Sequence, residues 1–278
     1  MAALDFICSY PQLVGIPLIL VYGLWRYSST KGADNRTDWL LAAAAIAVPA
    51  ELAAQAVTVW LSHLRPLKCD LFIYWLDGRL GFQPSFAIGQ LAAHNLWLRQ
   101  LLSFTYGSCT LGMLAIFIAY LWLRSEAETV DVVRVFGLNL FVAVPIYLLV
   151  PVCGPAFAFP DFPALPPQLS PHLIAIFAPP NGIPSVHFST ALLVAWFARR
   201  WPIGLVAGVI YVVLTAGATM GSGQHYLFDL LVAVPYAMCM YRLGSKPKLV
   251  AHAEMPATVQ VGEAHGVTSP SVTSPSEL

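Results

Sequence analysis

The chain has 278 residues, 58% of them hydrophobic and 10% charged, with a mean hydropathy of +0.70. A soluble globule carries about 25% charged residues, so this composition belongs in a bilayer. The 14 Lys and Arg cancel the 14 Asp and Glu, which excludes both the basic field that nucleic-acid binding needs and an acidic tail for a cationic partner.

A bilayer core of about 30 Å takes about 20 apolar residues as a helix. In chain order, seven stretches are read as spans: residues 11–27, 39–61, 103–123, 132–150, 184–199, 202–220 and 225–242. No Lys or Arg precedes the first and Arg26 follows it, the reverse of a secretory signal peptide, so no cleavage is expected. One set of loops carries ten cations: Arg26, Lys31, Arg36, Arg124, Arg134, Arg199, Arg200, Arg242, Lys246 and Lys248. The other carries only Arg65, Lys68, Arg79 and Arg99. The positive-inside rule puts the first set in the cytoplasm, with the N-terminus outside and the C-terminus inside.

Three pieces do not span. Residues 64–100 set Arg65, Lys68, Asp70, Asp77, Arg79 and Arg99 among Phe72, Tyr74, Trp75 and Trp97, too charged to cross and too aromatic for water. An amphipathic segment lying on the outer interface fits that mixture. Residues 151–183, also outside, hold nine of the 22 prolines, which makes a stiff loop. Residues 244–278 repeat T-S-P-S at 268–271 and 273–276 in a Ser/Thr/Pro/Ala-rich setting, the composition of a disordered cytoplasmic tail. The expected fold is an all-α polytopic membrane helix bundle of about seven spans. Its parts are N-terminal helices in 1–63, a membrane domain in 64–243 with its core bundle in 132–243, and the tail.

The five cysteines, Cys8, Cys69, Cys109, Cys153 and Cys239, form no C-x-x-C pair, so neither a thiol redox motif nor a cysteine-rich metal site is indicated. Cys69 and Cys153 share the outer side and are the one pair read as a candidate disulfide. Glu51, near the middle of the second span, is functional by position or else hydrogen-bonded to a neighbouring helix. His63, His94 and His172 read as interfacial residues of the outer side, the alternative being that they assist binding of an acceptor. The Gly221-Ser222-Gly223 run lacks the strand and the Lys of a nucleotide-binding loop and reads as a tight turn.

The ionisable residues at the edges of apolar runs carry the chemistry. His225 and Asp229 are spaced i to i+4, which on a helix puts imidazole and carboxylate on one face. Such a carboxylate orients the ring, stabilises its cation and leaves the other nitrogen a better nucleophile or base. The alternative for this pair is a structural bond at a helix entrance. His187 follows Pro184-Ser185-Val186 at the head of the fifth span, where Pro suits the first turn and Ser lies beside free backbone N–H groups that bind anions. Spans five and seven run the same way, so both histidines lie on the outer face. A nucleophile, a general acid and helix N-termini are the parts that phosphoryl transfer needs.

P-S-V-H at 184–187 and H-Y-L-F-D at 225–229 resemble the P-S-x-H and H-x-x-x-D motifs of the type 2 phosphatidic acid phosphatase superfamily. The run from Ala218-Thr219-Met220 to His225-Tyr226, and residues 147–159 with Gly154-Pro155 and Ala158-Phe159, look like the branch that includes inositol phosphorylceramide synthases. The resemblance implies that His225 attacks phosphorus, Asp229 orients it and balances its charge, and His187 protonates the leaving oxygen. It implies that Ser185 and the N–H groups near Val186 hold phosphate oxygens, and it implies no metal and no cofactor. The substrate would be a membrane lipid bearing a phosphate or a phospho-headgroup, with water or an alcohol as acceptor, at the extracytoplasmic face of a bacterial cytoplasmic membrane.

The chain departs from the superfamily in three places. Val186 stands where a Gly is usual, Thr219 stands where an Arg is usual, and no Lys or Arg lies between Arg134 and Arg199 to make the upstream K-x6-R-P motif. Thr219 is shared with the synthase-like branch. Because helix dipoles do not replace two arginines, the outer cations Arg65, Lys68, Arg79 and Arg99 are candidates to fold over the phosphate, Arg79 and Arg99 foremost; the alternative is that they anchor the segment at the lipid headgroups. Two competing readings use the same side chains. A proton-coupled transporter would relay through Glu51, His187, His225 and Asp229, although the halves show no repeat and the ionisable groups gather at one face. A zinc site would take His187, His225 and Asp229 with an open position for water.

Overall fold

The computed structural model describes residues 35–245 and six positions between 16 and 24. Helix α1 spans Asn35–Leu64, with Pro49 inside it, and β1 is Leu67–Lys68. The interfacial segment then forms α2 (Asp70–Gly78) and α3 (Pro84–His94). Helix α4 (Leu96–Gly107) starts where the Asn95 side chain accepts the Leu98 N–H, and it meets α5 (Cys109–Leu123) at a bend of 54°. Helix α6 (Glu126–Phe141) starts at Ser125, whose hydroxyl accepts the Glu128 N–H while Glu126 and Glu128 complement the helix dipole. It continues as α7 (Ala143–Leu149). After α8 (Pro155–Ala158) and β2 (Ile174–Ala175) come α9 (Val186–Ala198), α10 (Pro202–Gly221) and α11 (Leu227–Gly244).

Seven spans are not seen. Among the described residues, three helical stretches are long and apolar enough to cross: Glu126–Leu149, which is α6 with α7, and α10 and α11. The bent pair α4 and α5 makes a fourth if it counts as one span. The stretch 11–27 lies largely outside the described residues, as do the side chain of Glu51 and the tail with its T-S-P-S repeats. Helix α9 has 13 residues, only about 20 Å of helix, because the Ser185 cap and the Arg199-Arg200 pair bracket it. Cys69 and Cys153 are free thiols, not a disulfide.

The bundle is held by apolar packing with polar ties. Val132, Val135, Phe136, Leu193, Phe197 and Ala237 bury one seam between α6, α9 and α11. Toward the site, Asn139 of α6 donates to the Thr190 hydroxyl at 3.0 Å and accepts from that of Ser189 at 2.8 Å. The Tyr236 hydroxyl of α11 donates to the Asn139 carbonyl at 2.6 Å. Such interhelical bonds satisfy polar groups that lipid would leave bare. At the far end of α9, Glu128 pairs with Arg124 and Arg200, each at 3.4 Å. The segment 64–100 is fastened to the proline-rich loop by the antiparallel β1–β2 pair, Leu67 opposite Ala175 and Lys68 opposite Ile174.

Candidate active site

His187 and His225 come together at the head of α9 and α11, with ring centroids 6.3 Å apart. Ser185 is the N-cap of α9: fully buried, it accepts the Phe188 N–H at 3.3 Å. That leaves the amides of Val186 and His187 without a partner among the described residues, two donors at the positive end of a helix. The Tyr147 hydroxyl donates to the Pro184 carbonyl at 3.3 Å and fixes the approach to this cap.

His225 is not on a helix. Helix α11 begins two residues later, with Tyr226 as its N-cap and Asp229 in its first turn reaching back to the Tyr226 N–H at 2.9 Å. The same Asp229 oxygen lies 3.4 Å from His225 Nδ1, so the pair meets through a capping box and not along one helical face as the spacing implied. His225 Nδ1 also faces the Gly182 carbonyl at 3.1 Å. A carbonyl only accepts, so the hydrogen sits on Nδ1 and the lone pair on Nε2. Both members of the dyad are buried, and Asp229 Oδ1 has no partner.

The turn carrying His225 is bound on every side. The Thr219 carbonyl accepts the amides of Gln224 and His225, each at 3.1 Å, while its hydroxyl turns back onto α10. Gly223 and Gly154 have positive φ, 71° and 100°, and let the proline-rich loop lie directly on the turn: a Cβ on Gly154 would come within 2.2 Å of the Gln224 carbonyl oxygen. The Ala156 N–H donates to the Gly223 carbonyl at 2.8 Å.

Sequence reasoning missed several neighbours of the histidines. Asp77 of α2 accepts the Leu227 N–H at 2.8 Å and the Phe228 N–H at 3.1 Å. The N-terminus of α11 is thus already occupied, and the second anion-binding helix end expected from the sequence is not available. Asp70, also on α2, accepts the amides of Cys153 and Gly154 and the Tyr226 hydroxyl, the last at 3.2 Å. Ser85 of α3 donates to the His225 carbonyl at 2.9 Å. Burial pushes Asp70 and Asp77 up from 3.8 to about 6, against the pull of the amides they accept. The spacing of the two aspartates, seven residues on a short amphipathic stretch, was the one available signal. Tyr106, stacked on His187 with ring centroids 4.1 Å apart, gave none.

The four cations expected on the outer side lie elsewhere. Arg65, Arg79 and Arg99 are exposed, with Arg79 over the Trp75 ring at 5.3 Å. Lys68 is fully buried and its Nζ donates to the Arg65 carbonyl; burial lowers its pKa, opposed by Cys153 and Asp70 nearby. Among the described residues, no Lys or Arg hydrogen-bonds or ion-pairs with Ser185, His187, His225 or Asp229. His63 pairs edge-on with Phe177 and His172 bonds to the Ser170 carbonyl, both apart from the dyad. No three His, Cys, Asp or Glu side chains among the described residues are grouped to hold a metal ion.

Set beside known proteins, residues 71–243 match the family model described as the PAP2 superfamily. No curated protein and no solved structure matches the chain.

Proposed function

Since the chain belongs to the PAP2 superfamily, with the match over residues 71–243 taking in both histidines and Asp229, we propose that this membrane protein transfers a phospho-headgroup from a lipid through a phosphohistidine on His225. The observation that carries the reading is the tautomer: Gly182 and Asp229 hold the hydrogen on Nδ1, leaving the Nε2 lone pair to attack. In the first half-reaction a P–N bond forms as the P–O bond to the lipid alcohol breaks, and His187 gives a ring proton to the leaving oxygen. In the second, the acceptor hydroxyl attacks phosphorus, His187 takes its proton, and the P–N electron pair returns to His225. Asp229 balances the imidazolium charge. The Ser185 cap and the amides of Val186 and His187 receive the phosphate oxygens.

Charge favours a phosphodiester donor over a phosphomonoester. A monoester is close to a dianion at neutral pH, a diester a monoanion. No described cation bonds to the site, and Asp229, Asp70 and Asp77 stand beside it. A helix N-terminus offers about 0.3–1 kcal/mol to an anion, against about 1.5–3 for each charge-assisted hydrogen bond. Arg79 and Arg99 meet headgroups at the outer interface in this reading, with the lipid entering sideways. Purified protein incubated with lipids labelled on phosphorus tests it: an acid-labile, base-stable label is expected on the wild type, absent in His225→Ala and retained or accumulated in His187→Ala. No label from any phospholipid or polyprenyl phosphate, in protein that is folded, overturns it.

A further inference from the structure

Only one of the two imidazoles is tied down by hydrogen bonds. His225 has Gly182 and Asp229. The His187 imidazole makes no hydrogen bond to any described residue. What holds its ring is the face of Tyr106, inclined by 22° at a centroid distance of 4.1 Å. Tyr106 precedes Gly107, the last residue of α4, and so sits at the 54° bend into α5. It packs in a cluster with Leu102 and Ala218. Ala218 is the neighbour of Thr219, whose carbonyl sets the His225 turn. One bend therefore delivers an aromatic face to the same layer as the dyad.

We propose that Tyr106 is a positioning residue for His187, holding the imidazole in line with the leaving oxygen and favouring its protonated form. The proposal rests on the acid–base role given to His187 above. An imidazole without hydrogen bonds rotates about two side-chain bonds, and a face-to-face neighbour removes that freedom while leaving both ring nitrogens to the substrate. The electron-rich face also attracts a cation, which offsets part of the cost of placing a proton on a ring 6.3 Å from the His225 imidazole. The tyrosine hydroxyl has no partner among the described residues. The ring is the working part.

Leaving-group chemistry separates this role from a structural one. A p-nitrophenolate departs without a proton, whereas the alkoxide of a diacylglycerol needs one. The probes are phosphatidylinositol and p-nitrophenyl inositol phosphate, each followed as release of the leaving group in a single turnover, which reads the first half-reaction alone, with wild type, His187→Ala, Tyr106→Phe and Tyr106→Leu. Tyr106→Leu is expected to lose about 10- to 100-fold in the single-turnover rate on phosphatidylinositol and to keep the p-nitrophenyl rate. Tyr106→Phe, with the ring intact, is expected to stay near wild type on both. If His187→Ala loses equally on both probes, or wild type uses neither, the acid–base reading falls and this proposal with it. If His187→Ala discriminates but Tyr106→Leu does not, or if Tyr106→Phe loses as much as Tyr106→Leu, the Tyr106 role alone is overturned. Should the leucine variant fail to fold, trifluorophenylalanine at 106 keeps the shape and withdraws the π density. A phosphatidylinositol rate below that of Tyr106→Phe supports the proposal, and an unchanged one overturns it.

Discussion

His225 depends on two acceptors that share its Nδ1–H, and they differ in kind. Gly182 offers a fixed backbone dipole, Asp229 a charge that grows in value as the ring becomes cationic. Replacing Asp229 by Asn keeps the shape but turns an amide N–H or a weaker acceptor toward the ring. Turnover is expected to fall on the order of 10³- to 10⁴-fold with little change in substrate affinity, measured as a kcat and KM pair; a fall carried by KM instead would contradict the assigned role. His187→Ala removes a proton donor and is expected to cost about 10²- to 10⁴-fold on an alkyl leaving group. The histidines and Asp229 were legible as ionisable residues at the edges of apolar runs. Their mode of meeting was not, because i to i+4 spacing serves a capping box across a helix start as well as a helical face. Tyr106 was not legible either, since an aromatic in an apolar helix has no sequence mark of what it stacks on.

Helix α2 shows how a short interfacial element does the work that a cap residue in the chain itself normally does. Tyr226 stands where a Ser or Asp would cap α11, and Asp77 comes from outside to take the next two amides. Asp77→Ala leaves both unpaired in a buried place and is expected to cost about 1–2 kcal/mol of stability together with activity, checked by thermal unfolding in detergent. The two α2 carboxylates also predict a pH dependence. Their folded values are raised from 3.8 to about 6, so the stability they contribute is full below the unfolded value and is lost as pH rises through about 6. The melting temperature is expected to fall between about pH 4 and pH 7, with the slope reduced in Asp70→Asn and Asp77→Asn; a rise over that range would contradict it. From sequence, residues 64–100 read as interfacial from their mixture of charges and aromatics. Which charges turn inward is decided by where two orphan amides and a loop of glycine and cysteine N–H groups lie, and those are supplied by parts of the chain 80 to 150 positions away.

At the scale of the whole molecule, α9 and α11 start in one layer and run to the end where Glu128 gathers Arg124 and Arg200. That polarity matches the asymmetry of the cations and predicts a sidedness. In a cysteine-free background, Gln168→Cys in the proline-rich loop is expected to react with an impermeant maleimide added to intact cells, and Ala127→Cys at the start of α6 only after the membrane is opened. The reverse pattern would put the histidines on the cytoplasmic face. Helix α10 was readable almost to the residue because a proline opens it and a Gly-Ser-Gly turn follows it. Among the described residues, the shape and reach of the other spans were less so, since hydropathy measures apolar length and does not see the bend at Ser108 or the short reach of α9. The Asp77 clamp has one more consequence, for synthesis. Its partner amide lies 150 residues further along the chain, so the turn that carries His225 is clamped only when α11 has left the ribosome and reached its place. Under the proposed function, a half-made chain would carry no working histidine pair until the bundle closes.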